Sequence, residues 1–280
     1  MPEMLGYAFM QRALLAGVLV GTVCAVVGVY VVLRGMSFMG AGISHASLGG
    51  VAIGVTMGID PILSAAVFSV LAGWAIAVAS RRGWLKEDTA IGVLFAAGMA
   101  LGVLLISIRR DYQVDLLSYL FGSISAVGAS DLWTAGIVSA LVLGCVVVLF
   151  KDLMLVVFDS EMAEVSGLPA GGLYLLLVAM IALTVVMSIK VVGIVLVSAL
   201  IVVPAAAAYQ LTESFRKMMA LSVVFGVGST VAGLVVSYEL RSAAGATIVL
   251  LATLVFVVSA AFSPRRGRRR RAQAAEPRAD

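Results

Sequence analysis

The strongest constraint in this sequence is the regular return of apolar stretches of about 18–23 residues between short polar breaks. That is the length a helix needs to cross ~30 Å of hydrocarbon at ~1.5 Å per residue. The stretches lie at roughly 12–33, 37–58, 61–80, 89–108, 131–150, 171–189, 191–209, 218–238 and 243–262. They make nine spans, or eight if the boundary at Lys190 is read through, since "MSIKVVG" offers only Gly193 as a turn residue. No segment alternates polar and apolar residues as a membrane barrel strand does. The expected fold class is therefore all-α, a polytopic integral membrane protein with eight or nine transmembrane helices. Composition agrees, at 62% hydrophobic and 12% charged residues, against roughly 45–50% apolar usage in soluble domains. The expected organisation is an N-terminal segment 1–11, a transmembrane domain 12–262 and a basic tail 263–280. Residues 1–11 carry an acid and no basic leader, and read as mature chain.

The net charge of +4 comes largely from "PRRGRRRR" at 264–271. On a membrane protein such a block is a disordered cytoplasmic tail near anionic lipid headgroups rather than a nucleic-acid arm. With nine spans and the tail inside, Arg34, Arg81, Arg82, Lys86, Lys151, Arg216 and Lys217 also fall inside. Arg12, Arg109, Arg110, Lys190 and Arg241 fall outside, which agrees with the positive-inside rule.

Several chemistries are excluded. All 15 acids sit in loops, tails or at span ends, so no mid-membrane carboxylate serves a proton relay. Cys24 and Cys145 lie inside apolar spans and read as packing residues. With His45 as the one histidine, a zincin motif is impossible, and no P-loop sequence occurs, so any nucleotide energy comes from another polypeptide. Ser44 and His45 diverge by ~100° around a helix, which argues against a serine hydrolase. No catalytic residue and no tightly bound cofactor is expected. Pro204, in "SALIVVPAAAAY", deprives the Leu200 carbonyl of its helical partner and predicts a kink or break, either of the kind found on transport pathways or one that only fits neighbouring helices.

Between the fifth and sixth spans, "KDLMLVVFDSEMAEVSGLPAG" (151–171) is more than a linker. Asp159 or Ser160 is suited to N-cap a helix, Glu161 and Glu164 complement its dipole, Gly167 suits a left-handed stop and Pro169 prevents resumption. A helix of about two turns over 159–167 follows, with Met162 and Val165 on one apolar face. Its acids would be repelled by anionic lipid, so docking into a soluble partner is expected.

Five blocks in this order carry a resemblance: "VVLRGMSFMGAGISHASLGGVAIG" (31–54), "YQVDLLSYLFGSISAV" (112–127), "DSEMAEVSGLP" (159–169), "SIKVVGIVLVSALIVVPAAAA" (188–208) and "GATIVLLATLVF" (245–256). Together they are similar to the permease subunits of bacterial ABC importers for zinc and manganese. The resemblance implies a two-fold homodimer of permeases in the bacterial cytoplasmic membrane, a pair of ABC ATPase subunits beneath it, and an extracytoplasmic substrate-binding protein. It implies that 159–169 is the coupling helix, and that a divalent zinc or manganese ion is the transported substrate. The family also carries an Asp four residues before its histidine, and the pair meets the metal near mid-bilayer. Here that position is Ala41, and the family's frequent Asp after "LFG" is Ser123. An Asp and a His at i, i+4 would face the same way; with Ala41 the anion is gone. His45 remains, near Ser44, Met39 and several glycines. Buried polar groups at mid-membrane are costly and face interior cavities, so His45 is expected on the pathway as a transient ligand.

Overall fold

In the computed structural model, residues 7–108, 116–123 and 127–264 are described, and all their regular elements are helical. Arg109, Arg110 and most of the basic tail lie outside them. In chain order the helices are α1 (Ala8–Arg34), α2 (Ser37–Met57), α3 (Pro61–Arg81), α4 (Glu87–Ile108), the short α5 (Leu116–Phe121), α6 (Ala129–Val148), α7 (Phe150–Phe158), α8 (Ser160–Val165), α9 (Ala170–Val192), α10 (Val197–Leu211), α11 (Phe215–Leu240) and α12 (Ala244–Ala261). Eight of these are long and apolar enough to cross a membrane. A further apolar helix, α10, has 15 residues.

Local chemistry sets the boundaries. Asp60 caps α3 by accepting a hydrogen bond from the Leu63 amide at 2.8 Å, and Pro61 occupies the first helical position, where its missing N–H costs nothing. Gly35, with φ +76°, ends α1 in a Schellman turn: its amide bonds to the Val32 carbonyl and that of Met36 to Val31.

Contacts between helix ends sort the chain into two poles. At one, Phe215 gathers the rings of Tyr30, Phe150 and Phe158 at centroid distances of 5.6, 5.3 and 6.3 Å, all edge-on. The same pole holds Arg34, Arg81 and Glu164, and Ser263 after α12 donates to the carbonyl of Gln210 at 2.9 Å. At the other pole, Lys190 near the end of α9 pairs with Asp131 at the start of α6, and the turn after α11 meets Ser123. The chain thus passes back and forth, with α10 as one of the passes. Arg34, Arg81, Arg82, Lys86, Lys151, Arg216 and Lys217 cluster at the first pole, called the basic end below. Arg12, Lys190 and Arg241 lie toward the other, the far end.

The connection between α9 and α10 departs from the sequence expectation. The apolar pattern places a boundary at Lys190, but α9 continues to Val192 and the backbone leaves helical form at 193–196. The Lys190 side chain is held by Asp131, so its charge does not mark a loop. At Pro204 the chain stays helical, α10 running through that residue. At 15 residues, α10 spans only about 22 Å at ~1.5 Å per residue, so irregular backbone completes this pass. Such backbone survives in a membrane only where protein satisfies it. Here the amides of Ile194 and Val195 donate to the carbonyls of Tyr119 and Leu120 at 2.9 and 3.2 Å, and the Ser123 amide donates to Lys190 at 3.0 Å. The Ser44 hydroxyl donates to the Ile194 carbonyl. Gly122 and Gly193, both at positive φ, let the two segments approach at backbone distance; a Cβ on Gly122 would lie 2.7 Å from the Val191 carbonyl oxygen.

Helices α1, α2 and α9 form the buried centre, while α4, α6 and α12 expose much of their surface. The close packing of α2 rests on small residues, as helix contacts in lipid generally do. A Cβ added to Gly98 on α4 would sit 2.6 Å from the Cα of Ala46, and one on Gly50 of α2 would sit 2.7 Å from the Cα of Ala65 on α3. Across the molecule, Gly21 of α1 meets Gly226 of α11 in the same manner. Cys24 is fully buried with its Sγ 3.4 Å from the Ser188 hydroxyl, joining α1 to α9.

Gly98→Ala is expected to destabilise the protein by about 1–3 kcal/mol, because neither backbone can retreat. Gly136→Ala on α6, where the added methyl meets open space, is expected to be neutral or stabilising by up to about 1 kcal/mol. Thermal unfolding in mild detergent checks both, and equal effects would contradict the packing described.

Candidate functional site

His45 sits in the middle of α2, half-buried. Its Nδ1 lies 2.9 Å from the Ala41 carbonyl oxygen one turn earlier. A carbonyl oxygen only accepts, so Nδ1 donates, and in the neutral ring the Nε2 lone pair is left free. In that tautomer Nε2 is the nitrogen able to contact a metal. The ring packs on Phe95 of α4, with centroids 4.6 Å apart at 45°. Ala41 therefore takes part through its backbone: its carbonyl orients the ring. Among the described residues, no three His, Cys, Asp or Glu converge to hold a metal, and His45 presents one nitrogen beside an aromatic face.

The other residues expected near it are placed differently. Ser44 is buried and turned away, bonded to Ile194 and thereby serving the α9–α10 connection. Met39 is fully buried in the core. Ser123 lies at the far end, lining a cavity of about 520 Å³ with Phe9, Glu239 and Arg241. Pro204 is buried within α10. A second far-end cavity, of about 420 Å³, is bordered by Asp60, Ser130, Asp131, Thr134 and Lys190 over an apolar floor that includes Met187. Its ion pair is tight, with Lys190 Nζ 2.6 Å from Asp131 Oδ1. The other Asp131 oxygen accepts the Gly128 amide at 2.9 Å, which fixes the start of α6.

At the basic end, the acidic segment folds as its local signals predict. Asp159 caps α8, its Oδ1 accepting from the Met162 amide at 2.9 Å. Gly167, at φ +81°, closes the helix: its amide bonds to the Glu164 carbonyl and that of Leu168 to Ala163. The helix is shorter than two full turns, at six residues. Ala163 is buried against the body, whereas Met162 and Val165 are 54% and 84% exposed, an apolar pair facing outward between the acids Glu161 and Glu164. Glu164 lies 3.8 Å from Arg81, but both side chains are well exposed, so the contact adds little.

What the sequence reading missed is α7. "FKDLMLVVF" reads as the end of a span and the beginning of a loop, yet it folds into an amphipathic helix that buries Leu153, Val156 and Val157. The signal was available as apolar residues at i, i+3 and i+4 just before the Asp159 cap. With α7, the exposed α8 becomes the second half of a helical pair joined at Asp159. Arg34 lies behind this pair, donating to the Val156 carbonyl at 3.2 Å with its guanidinium 6.0 Å from the Tyr174 ring centroid.

The chain matches the ABC 3 transport family over residues 6–263. It is 41% identical over 261 residues to the manganese transport system membrane protein MntC of Listeria innocua, covering 93% of each chain. It is 35% identical over 265 residues to the chelated iron transport system membrane protein YfeD of Yersinia pestis, covering 93% of this chain and 88% of that one. In structure it is similar to PsaBC from Streptococcus pneumoniae, solved in complex with a Fab, with a TM-score of 0.84, 37% identity and coverage of 92% of this chain and 93% of that chain. A many-helix membrane protein with this match along nearly its whole length is a transport component, and the chain belongs to the ABC 3 transport family.

Proposed function

We propose that this chain is the transmembrane subunit of an ATP-driven importer that moves a divalent transition metal, manganese or zinc, across the bacterial cytoplasmic membrane by alternating access. Two copies form the passage. ABC ATPase subunits bind from the cytoplasm, and an extracytoplasmic binding protein delivers the ion. The observation that carries the reading is the capped α7–α8 pair, which projects Met162 and Val165 between acids at the basic end of an ABC 3 family chain. Seven basic residues in the described part of that end, Arg34, Arg81, Arg82, Lys86, Lys151, Arg216 and Lys217, support a cytoplasmic assignment for it, and with it for the C-terminus. The substrate class is supported by the manganese transport relative and by the free Nε2 of His45, a donor suited to first-row metals. A single neutral donor binds weakly, as conduction requires.

The relative named for chelated iron favours a second reading, in which the same architecture carries a metal chelate. Ala41 is in keeping with it, because a passage without the anion holds a bare dication less strongly than one with Asp at i−4. Uptake of radioactive Mn²⁺ into vesicles holding the chain and its ATPase separates the readings. Competition by free Zn²⁺ and Mn²⁺, but not by chelated iron, is expected; the reverse pattern would move the assignment to chelates. Uptake that persists without the ATPase would overturn both.

His45→Ala is expected to lower Mn²⁺ uptake roughly tenfold or more, the size of one lost donor contact, while the complex still purifies intact. Unchanged uptake would remove His45 from the pathway. Reversing Glu161 and Glu164 together to Lys is expected to weaken copurification of the ATPase or to leave hydrolysis without transport. Native coupling in that variant would refute docking through α8.

A further inference from the structure

Resting on the reading above, we infer that Arg34 is a positioning residue for transport: it ties the α7–α8 pair to the joint between α1 and the His45 helix, so that movement of the pair reaches α2. Val156 is in the last turn of α7, where carbonyls lack an intrahelical partner and the helix dipole is negative. Arg34 donates to that carbonyl at 3.2 Å, and so acts as a C-terminal cap supplied from 122 residues away in sequence. The other side of the same guanidinium lies 6.0 Å from the Tyr174 ring centroid on α9, within the range of a cation–π contact. Around it is a cavity of about 230 Å³ bordered by Arg81, Glu87, Ser160 and Glu164, so α3, α4 and α8 all reach the space that Arg34 occupies.

Position in the chain makes this contact more than a cap. Arg34 is the last residue of α1, directly before the Gly35 turn, and α2 begins at Ser37. Eleven residues beyond Arg34 is His45. The opposing contact from α8, Glu164 to Arg81, is long and exposed. It transmits little force, whereas Arg34 is half-buried and bonds to backbone. The apolar side of α7, with Leu153, Val156 and Val157 buried, keeps the pair against the body. Arg34 then fixes where along the body it sits. A hydrogen bond to a main-chain carbonyl is indifferent to the identity of residue 156, so the tie depends on Arg34 alone.

The test uses the full complex of permease, ATPase and binding protein in vesicles, with Mn²⁺ uptake and ATP hydrolysis measured together. Arg34→Met keeps the apolar stem and removes the donor. It is expected to retain ATPase association and hydrolysis while Mn²⁺ transported per ATP falls about tenfold, the usual effect of losing a charged hydrogen bond. An unchanged ratio overturns the inference, as does a parallel loss of ATPase association and hydrolysis in which the ratio is kept. If Arg34→Met does not assemble, Arg34→Lys decides. Lysine keeps the charge but lacks the planar fork, so a ratio lowered about threefold supports the tie, and the native ratio overturns it. The native complex is the control: if it fails to move Mn²⁺ on ATP, the functional reading fails and this inference with it. Native transport with normal coupling in the variants sinks only the role of Arg34.

Discussion

Hydrocarbon offers a peptide group nothing to bond with, and this one fact orders the structure. Every long pass through the layer is helical, so its amides and carbonyls close on themselves. At 193–196 the chain leaves that solution and needs another. The amides of residues 194 and 195 turn to the 119–120 carbonyls, and the carbonyl of residue 194 takes the Ser44 hydroxyl. Gly122 and Gly193 are where they are because only glycine lets two backbones come so near at positive φ. The His45 helix is thereby fastened at Ser44 to this non-helical segment.

The same helix is packed tightly along its length for a related reason. Lipid and leucine are equally apolar, so helices gain by close fit rather than by escape from solvent. Glycine and alanine bring α2 and α4 nearly into backbone contact at Ala46 and Gly98, one residue along from His45. The His45 imidazole is held there between its own Ala41 carbonyl and the ring of Phe95.

Much of this was legible in sequence where the cause is local. Span positions follow from apolar length, and the Asp159 cap and Gly167 stop of α8 follow from residues within reach of one another. Two kinds of feature stayed hidden. One is any partner far along the chain: Ser44 to Ile194 and Arg34 to Val156 are joined by tertiary packing that no local pattern announces. The other is local signals that compete. Lys190 looks like a loop residue because it is charged, yet Asp131 lets it remain helical. Pro204 signals a kink or break, yet the helix runs through it, and the backbone leaves helical form at Gly193, four residues before α10 begins. In α7, the charged pair Lys151–Asp152 obscured a short helix whose apolar side is plain once its burial is known.

Charge at the far end is evenly matched. Its described ionised groups balance, with Asp60, Asp131 and Glu239 against Arg12, Lys190 and Arg241, and the closest pair neutralises itself at 2.6 Å. Among the described residues, charges so nearly balanced cast little net potential into the surrounding solution.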